Sequence, residues 1–252
     1  MLLGFGNGVY YRRDKKMYDR FSPGSLSDLH ADGKANILEL NCVTNEMLTQ
    51  LLMDVKASPA DRRIQYFAPF SQVSLHTPSQ EYGNDEKTRF FFAQLSELHS
   101  IISFSSVIIH PDNIMDWAVL EPYMNLPFSV ENMDITAGCF NTPDSFIKLL
   151  EKYPFTFTLD LAHCMTMDVS MKNALLFQEK FGSRLSEYHV SGTMPGVEKH
   201  WPLFKTRQTE IPGAVLFRDR PVIIESVFEH DGEHMQELTY IENYFNTSTE
   251  KI

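Results

Sequence analysis

Short apolar or β-branched runs recur along the chain at 2–5, 36–40, 72–75, 105–109, 127–130, 155–159, 186–188 and 221–224, each bounded by polar or turn-forming residues. Between them, apolar residues spaced for one face of a helix predict helices over 45–55, 85–102, 114–123, 142–152, 170–181 and 234–244. Thr142-Pro143-Asp144 supplies a helix-start signal, with a capping residue followed by proline at the first helical position. Phe146, Leu149 and Leu150 then line one apolar face. The segment 11–34 is polar, carries Pro23-Gly24 and Asp32-Gly33 turn signals, and reads as a long loop with room for a short helix. Eight strand signals alternating with helices fit either a doubly wound sheet or a (β/α)8 barrel.

The residues that end the strands favour the barrel. Val73-Ser74-Leu75 is followed by His76, Val107-Ile108-Ile109 by His110, and Phe128-Ser129-Val130 by Glu131. Phe157-Thr158-Leu159 is followed by Asp160, Ser186-Glu187-Tyr188 by His189, and Val222-Ile223-Ile224 by Glu225. One histidine or carboxylate ending a strand is ordinarily the first solvated residue of a loop. Six in succession, 21 to 36 residues apart, follow the rhythm of one βα unit. In a parallel barrel all strand carboxyl ends meet on one face, where these groups would converge; in an open sheet the outer strands lie too far apart. The expected fold is therefore a single-domain TIM barrel spanning 1–252.

Three further candidates lie close by. His163 follows Asp160 by three residues, so a turn presents both. Glu198 and His200 share a direction if their segment is extended. Five histidines and four carboxylates suit Zn²⁺, or Mn²⁺ and Fe²⁺, and are too rich in imidazole for Ca²⁺ or Mg²⁺.

Composition limits the choice of partner. The 252 residues carry 22 Lys and Arg against 33 Asp and Glu, a net charge of −11, which argues against a broad basic surface for nucleic acid. Bound cations would reverse the sign locally. Cys42, Cys139 and Cys164 form no CxxC pair, which points to buried thiols in a reducing compartment. The first residues hold no basic segment leading into an apolar core, and no apolar run approaches the ~18 residues of a membrane span. The expectation is a cytoplasmic protein without membrane contact. The Phe90-Phe91-Phe92 run predicts a helix packed on the outside of the barrel with one ring left over, and Cys164 a buried spectator.

At Ile109-His110-Pro111, Val130-Glu131-Asn132-Met133, Leu159-Asp160-Leu161-Ala162-His163, Tyr188-His189-Val190, Glu198-Lys199-His200 and Ile224-Glu225-Ser226, the sequence resembles the endonuclease IV (AP endonuclease family 2) branch of the xylose-isomerase-like TIM barrels. That resemblance implies zinc ions at nine ligands, all with counterparts here. His76, His110 and Glu131 would hold one ion; Glu131 would bridge to a second, held also by Asp160, His189 and Glu225. His163, Glu198 and His200 would hold a third. The activity implied is metal-assisted hydrolysis of a phosphate ester, with abasic DNA as the family's substrate and Glu131 and Glu225 as the catalytic carboxylates. Candidate substrate contacts are Tyr82, Lys199 and Arg207, with Arg12, Arg13, Lys205 and Arg218 as further basic residues.

The sequence also departs from that pattern. The family's Asp-Arg-His reads Glu198-Lys199-His200, one methylene longer at the carboxylate. Strand one ends in Gly4-Phe5-Gly6-Asn7-Gly8 instead of His-Val-Ser, and Val190-Ser191-Gly192 replaces an Asn-Asp pair. The chain is short for a DNA-cleaving member, implying trimmed loops. Two other readings stay open: a sugar isomerase or epimerase using one divalent metal and the Glu131/Glu225 pair, and a metal-binding barrel without turnover. Isomerases of this fold have no general need of His76, His110 or the Glu198–His200 pair.

Overall fold

The computed structural model describes residues 1–10, 21–58, 67–194 and 200–248. Eight parallel strands close into a barrel in chain order. They are β1 (Leu3–Gly6), β2 (Ile37–Asn41), β3 (Gln72–His76), β4 (Val107–Ile109), β5 (Phe128–Glu131), β6 (Thr156–Asp160), β7 (Leu185–Val190) and β8 (Val222–Ile224). Pairing of β1 with β8, with Leu3 beside Val222 and Phe5 beside Ile224, completes the ring. The fold is a (β/α)8 TIM barrel.

Around the ring run α1 (Pro23–Leu29), α2 (Asn45–Ala57), α3 (Glu86–Ile102), α4 (Pro143–Lys152), α5 (Leu161–Met167), α6 (Lys172–Phe181), α7 (Leu203–Thr206), α8 (Glu210–Gly213) and α9 (Glu233–Ser248). Side chains start two of the longer ones. Thr44 Oγ1 accepts the Met47 amide at 3.3 Å for α2, and Asp85 Oδ1 accepts the Thr88 amide at 2.7 Å for α3. At α4, Thr142 has the extended backbone of a cap but its hydroxyl makes no capping bond, so Pro143 marks the start.

All eight predicted strands form, each within two residues of its expected limits at either end. One helical expectation shifts, and the short helix expected within 11–34 forms. The segment 114–123 is no α-helix: Ile114 makes a parallel bridge to Tyr82, and Trp117–Tyr123 is a 3₁₀ turn containing Pro122, which has no amide hydrogen to continue an α-helical ladder. Within 11–34, α1 begins where Ser22 Oγ accepts the Ser25 amide at 3.3 Å; 11–20 lie outside the described residues.

The wall of the barrel separates two unlike layers. Between strands and helices, Phe92, Phe128, Phe146, Phe157 and Phe177 are buried and pack edge-on or stacked, with centroids 5.2 Å apart for Phe146–Phe157 and for Phe157–Phe177. Phe91 and Phe92 are buried, while Phe90 is 62% exposed, the ring left over. Inside the barrel the strands carry Glu39, Ser74, Ser129, Thr158 and Glu187, all buried. Glu39 lies beside Gly6 and Ser74 in register, and Thr158 beside Glu187. Gly4 is required by sterics: a Cβ there would overlap the Ile37 carbonyl of the neighbouring strand. No helix among the described residues is long and apolar enough to cross a membrane.

Candidate metal centre

The strand register brings the predicted strand-end residues to one face. Asp160 pairs with His189 across β6–β7, and Val190 with Ile224 across β7–β8, setting Glu225 just beyond. Glu131 closes β5 and His76 closes β3. A cavity of about 280 Å³ opens here, lined by His76, His110, Glu131, Asp160, His163, His200 and Glu225 among others. His189 is fully buried beneath it.

Glu131 is the meeting point. Its Oε2 lies 3.1 Å from Nε2 of both His76 and His110, while its Oε1 lies 3.3 Å from His189 Nδ1. His189 Nδ1 is also 3.4 Å from Glu225 Oε2. Three groups able to hold a divalent ion meet here: His76, His110 and Glu131; Glu131, Asp160, His189 and Glu225; and His76, His189 and Glu225, which joins the other two, with ligand atoms within 4.8 Å of one another in each. Burial without a hydrogen-bond partner marks where a cation fits. Among the described residues, Asp160 Oδ2 and His189 Nδ1 are buried and lack one. The donor set and these orphaned atoms fit a divalent metal.

Backbone groups aim the histidines. His76 Nδ1 donates to the Thr77 carbonyl at 2.9 Å and His163 Nδ1 to the Asn132 carbonyl at 2.7 Å, leaving Nε2 of each for the cavity. Asn132 grips β6 twice, its Oδ1 accepting the Asp160 amide at 2.7 Å and its Nδ2 donating to the Asp160 carbonyl at 2.9 Å. Asp160 Oδ1 accepts the His163 amide at 2.7 Å, so one carboxylate caps α5 and turns its other oxygen to the site. The turn expected after strand six is the first turn of that helix. Asn132 and the α5 start escaped the sequence reading, although Asp followed three residues later by a second polar group is a capping signal.

Electrostatics show the strain of burying so many ionisable groups. Burial pushes the His76 imidazolium down, but the hydrogen bond and charge of Glu131, with Glu39 and Glu225, raise it to about 9. Burial also disfavours His189 as a cation, and the charges of Glu225, Glu39 and Glu131 lift it well above the usual range. For Glu131, burial is outweighed by His189, His110 and His76, which hold the carboxylate well below its ordinary range. Glu225, buried as well, is drawn down to about 2 by His189 and His200. Asp160 goes the other way: burial and the charges of Glu131 and Glu225 raise it to about 7 against the pull of His163.

Not every predicted residue joins this centre. His163 Nε2 is 3.5 Å from Asp160 Oδ2, and His200 Nδ1 is 3.8 Å from Glu225 Oε2. Neither belongs to a ligand group among the described residues, and their expected companion Glu198 lies outside those residues, as does Lys199. Tyr82 is corrected. It is fully buried, packs 5.3 and 5.2 Å from Phe91 and Phe92, and donates its hydroxyl to the Pro78 carbonyl, so it has no face to offer a base. Arg207 lies over the Tyr240 ring at 5.3 Å, on α9. Lys205 pairs with Glu233 at 2.6 Å and Arg218 donates to the Phe245 carbonyl, while Arg12 and Arg13 fall outside the described residues. Cys164 is buried beside Asn132, as a spectator.

Two acids went unpredicted. Glu39, in the middle of β2, places Oε2 3.0 Å from His189 Nε2, and both side chains are fully buried. Glu187, two residues before His189, is raised to about 8 by burial and by Glu39. With His189 they form a fourth group of potential ligands, inside the barrel.

No family model matches the sequence, and no curated sequence matches it. Solved structures do match in fold. Endonuclease IV from Thermus thermophilus superposes with a TM-score of 0.65 at 15% identity, covering 98% of this chain and all of that one. D-psicose 3-epimerase from Clostridium cellulolyticum, with D-tagatose, gives 0.57 at 12% identity over 95% of this chain and 89% of that one. The probable 3-DHS dehydratase from Bacillus anthracis gives 0.61 at 14% identity over 96% and 98%. These likenesses establish the fold, a TIM barrel, which these neighbours use for more than one chemistry.

Proposed function

We propose that this protein is a metal-dependent phosphoesterase of endonuclease IV type. The observation that carries the reading is the placement of Glu131, one carboxylate dividing two ligand sets: His76 and His110 on Oε2, and His189 with Glu225 on the other side. An isomerase needs only the second set. A carboxylate with ligands on both flanks suits a pair of ions, which when bound would acidify water and neutralise phosphate charge.

The chain's own residues would do the rest. His76, His110 and Glu131 would hold one ion, and Glu131, Asp160, His189 and Glu225 the other. His163, aimed by Asn132, would present Nε2 to the phosphate or the leaving oxygen. Cavity walls from Val9, Val43 and Val227 would exclude bulk water from one side. Abasic DNA is the substrate we assign from the resemblance of the strand-end motifs to the endonuclease IV branch. Zinc is the metal we assign from the imidazole-rich donor set, and the cytoplasm the location.

The epimerase reading keeps one specific support. Glu131 and Glu225 face each other across His189, an arrangement able to shuttle a proton at a sugar carbon next to a carbonyl. Elemental analysis of purified protein, paired with nicking of an abasic-site duplex and epimerisation of ketoses, separates the two. Two or more ions per chain with nicking supports the phosphoesterase. One ion with epimerisation replaces it, and full occupancy with neither activity leaves a binding protein.

A further inference from the structure

We propose that Glu39 is a positioning residue for the metal centre, acting through His189; this rests on the reading of His189 as a metal ligand. His76 and His163 have their far nitrogens fixed by backbone carbonyls. His189 has no such carbonyl among the described residues. Its Nδ1 faces Glu131 and Glu225, and its opposite nitrogen, Nε2, faces Glu39 Oε2 at 3.0 Å. The N–H lies off the line to that oxygen, so the contact is an ion pair, and neither Nε2 nor either Glu39 oxygen has a hydrogen-bond partner among the described residues.

An acid buried in the middle of a strand is costly unless something needs it. Glu39 is fully buried, its neighbours in register being Gly6 and Ser74, and Gly6 leaves room above its Oε1. Among the described residues, the ring within ion-pair distance of it is His189. A carboxylate on the far nitrogen keeps the proton on Nε2, leaves the Nδ1 lone pair for the ion, and makes that nitrogen a stronger donor. Glu39 thus supplies from β2 an anchor for a ligand on β7, across the width of the barrel. The structure assigns it no contact with substrate.

The test is a competition titration of chelated protein with Zn²⁺ against a chromophoric chelator, on wild type, Glu39→Gln, Glu39→Leu and His76→Ala. Substituting such an outer partner lowers affinity by about 10–100-fold. Glu39→Leu is expected to weaken the ion held with His189 toward the upper end of that range and leave the ion held with His76 unchanged. Glu39→Gln, which keeps an acceptor without the charge, falls between, and His76→Ala weakens the opposite ion. A ¹⁵N spectrum of the Zn²⁺-loaded protein reads the tautomer directly, with His189 ligating through Nδ1 and the proton on Nε2 in wild type, and the two nitrogens sharing those roles in Glu39→Leu. Equal affinity of both ions in wild type and both Glu39 variants would overturn the proposal while sparing the phosphoesterase reading. A uniform loss at both ions, with a lowered Tm and an unmoved tautomer, would also overturn it, showing a structural role alone. Wild type that binds no Zn²⁺ would overturn both. Should Glu39→Leu fail to fold, Glu39→Gln with the ¹⁵N readout decides.

Discussion

The two faces of the barrel wall solve burial in opposite ways. On the outer face, aromatic rings satisfy one another: Phe92 packs against Phe91, Tyr82, Tyr123 and Phe128 with centroids 5.1 to 5.9 Å apart. Nothing there depends on protons or ions. The inner face buries Glu39, Glu131, Asp160, Glu187 and His189, ionisable groups that burial disfavours: Glu131 and His189 settle with opposite charges beside them, and Asp160 and Glu187 by holding a proton more tightly. The outer layer therefore holds the chain folded, and the inner layer spends part of that stability on a site ready for cations.

This contrast breaks first at Glu131. Glu131→Gln removes the shared ligand, and activity is expected to fall at least ~100-fold with loss of bound ions, while the chelated protein also melts lower because His76 and His189 lose their counter-charge. Elemental analysis and melting on the same sample check it. An active, fully loaded Glu131→Gln protein would dissolve the distinction between the layers. The converse is Phe92→Ala, which opens a cavity in the outer layer at a cost of about 3–5 kcal/mol. At roughly 2–4 °C per kcal/mol for a chain of this size, calorimetry should see Tm drop by about 6–20 °C with metal content per folded chain unchanged.

The pH dependence of the chelated protein is smaller and sharpens the inner-face argument. His76 is raised from 6.5 to about 9, so its contribution is complete below 6.5 and lost as pH climbs through 9. Asp160 at about 7 and Glu187 at about 8 also hold protons more tightly folded than unfolded, which pushes the same way. Glu225, lowered to about 2, contributes above 4.5 and loses that as pH falls toward 2. Tm of the chelated protein should therefore decline from pH 6 to 9. Zn²⁺-loaded protein should show a flatter profile, with protons released on loading. A chelated protein whose Tm rises over that range would contradict the charge arrangement described. The smallest effect is expected at Phe90→Ser, within about 0.5 kcal/mol, since that ring is 62% exposed.

The strand ends were legible because an apolar run followed at once by His, Asp or Glu is a local pattern, and parallel topology carries it to one face. Glu39 and Glu187 were hidden by the same habit of reading. In Ile37-Leu38-Glu39-Leu40 an acid between aliphatics looks like the solvent side of an alternating strand. Barrel strands have no solvent side, so an acid within one points inward. Tyr82 misled for the opposite reason: it sits in a polar loop, yet Phe91 and Phe92 on α3 cover its ring. The helix α5 was overlooked because it follows β6 without a connecting residue, Asp160 ending one element and capping the next.

That double duty of Asp160 ties recognition to backbone order. An Oδ2 captured by a cation cannot swing away, because Oδ1 is pinned by the His163 amide, and the amide in turn belongs to the first turn of α5. A cation bound there would therefore tighten a helix, and fraying of that helix would loosen the centre, so occupancy should be readable in the exchange rate of a single peptide hydrogen.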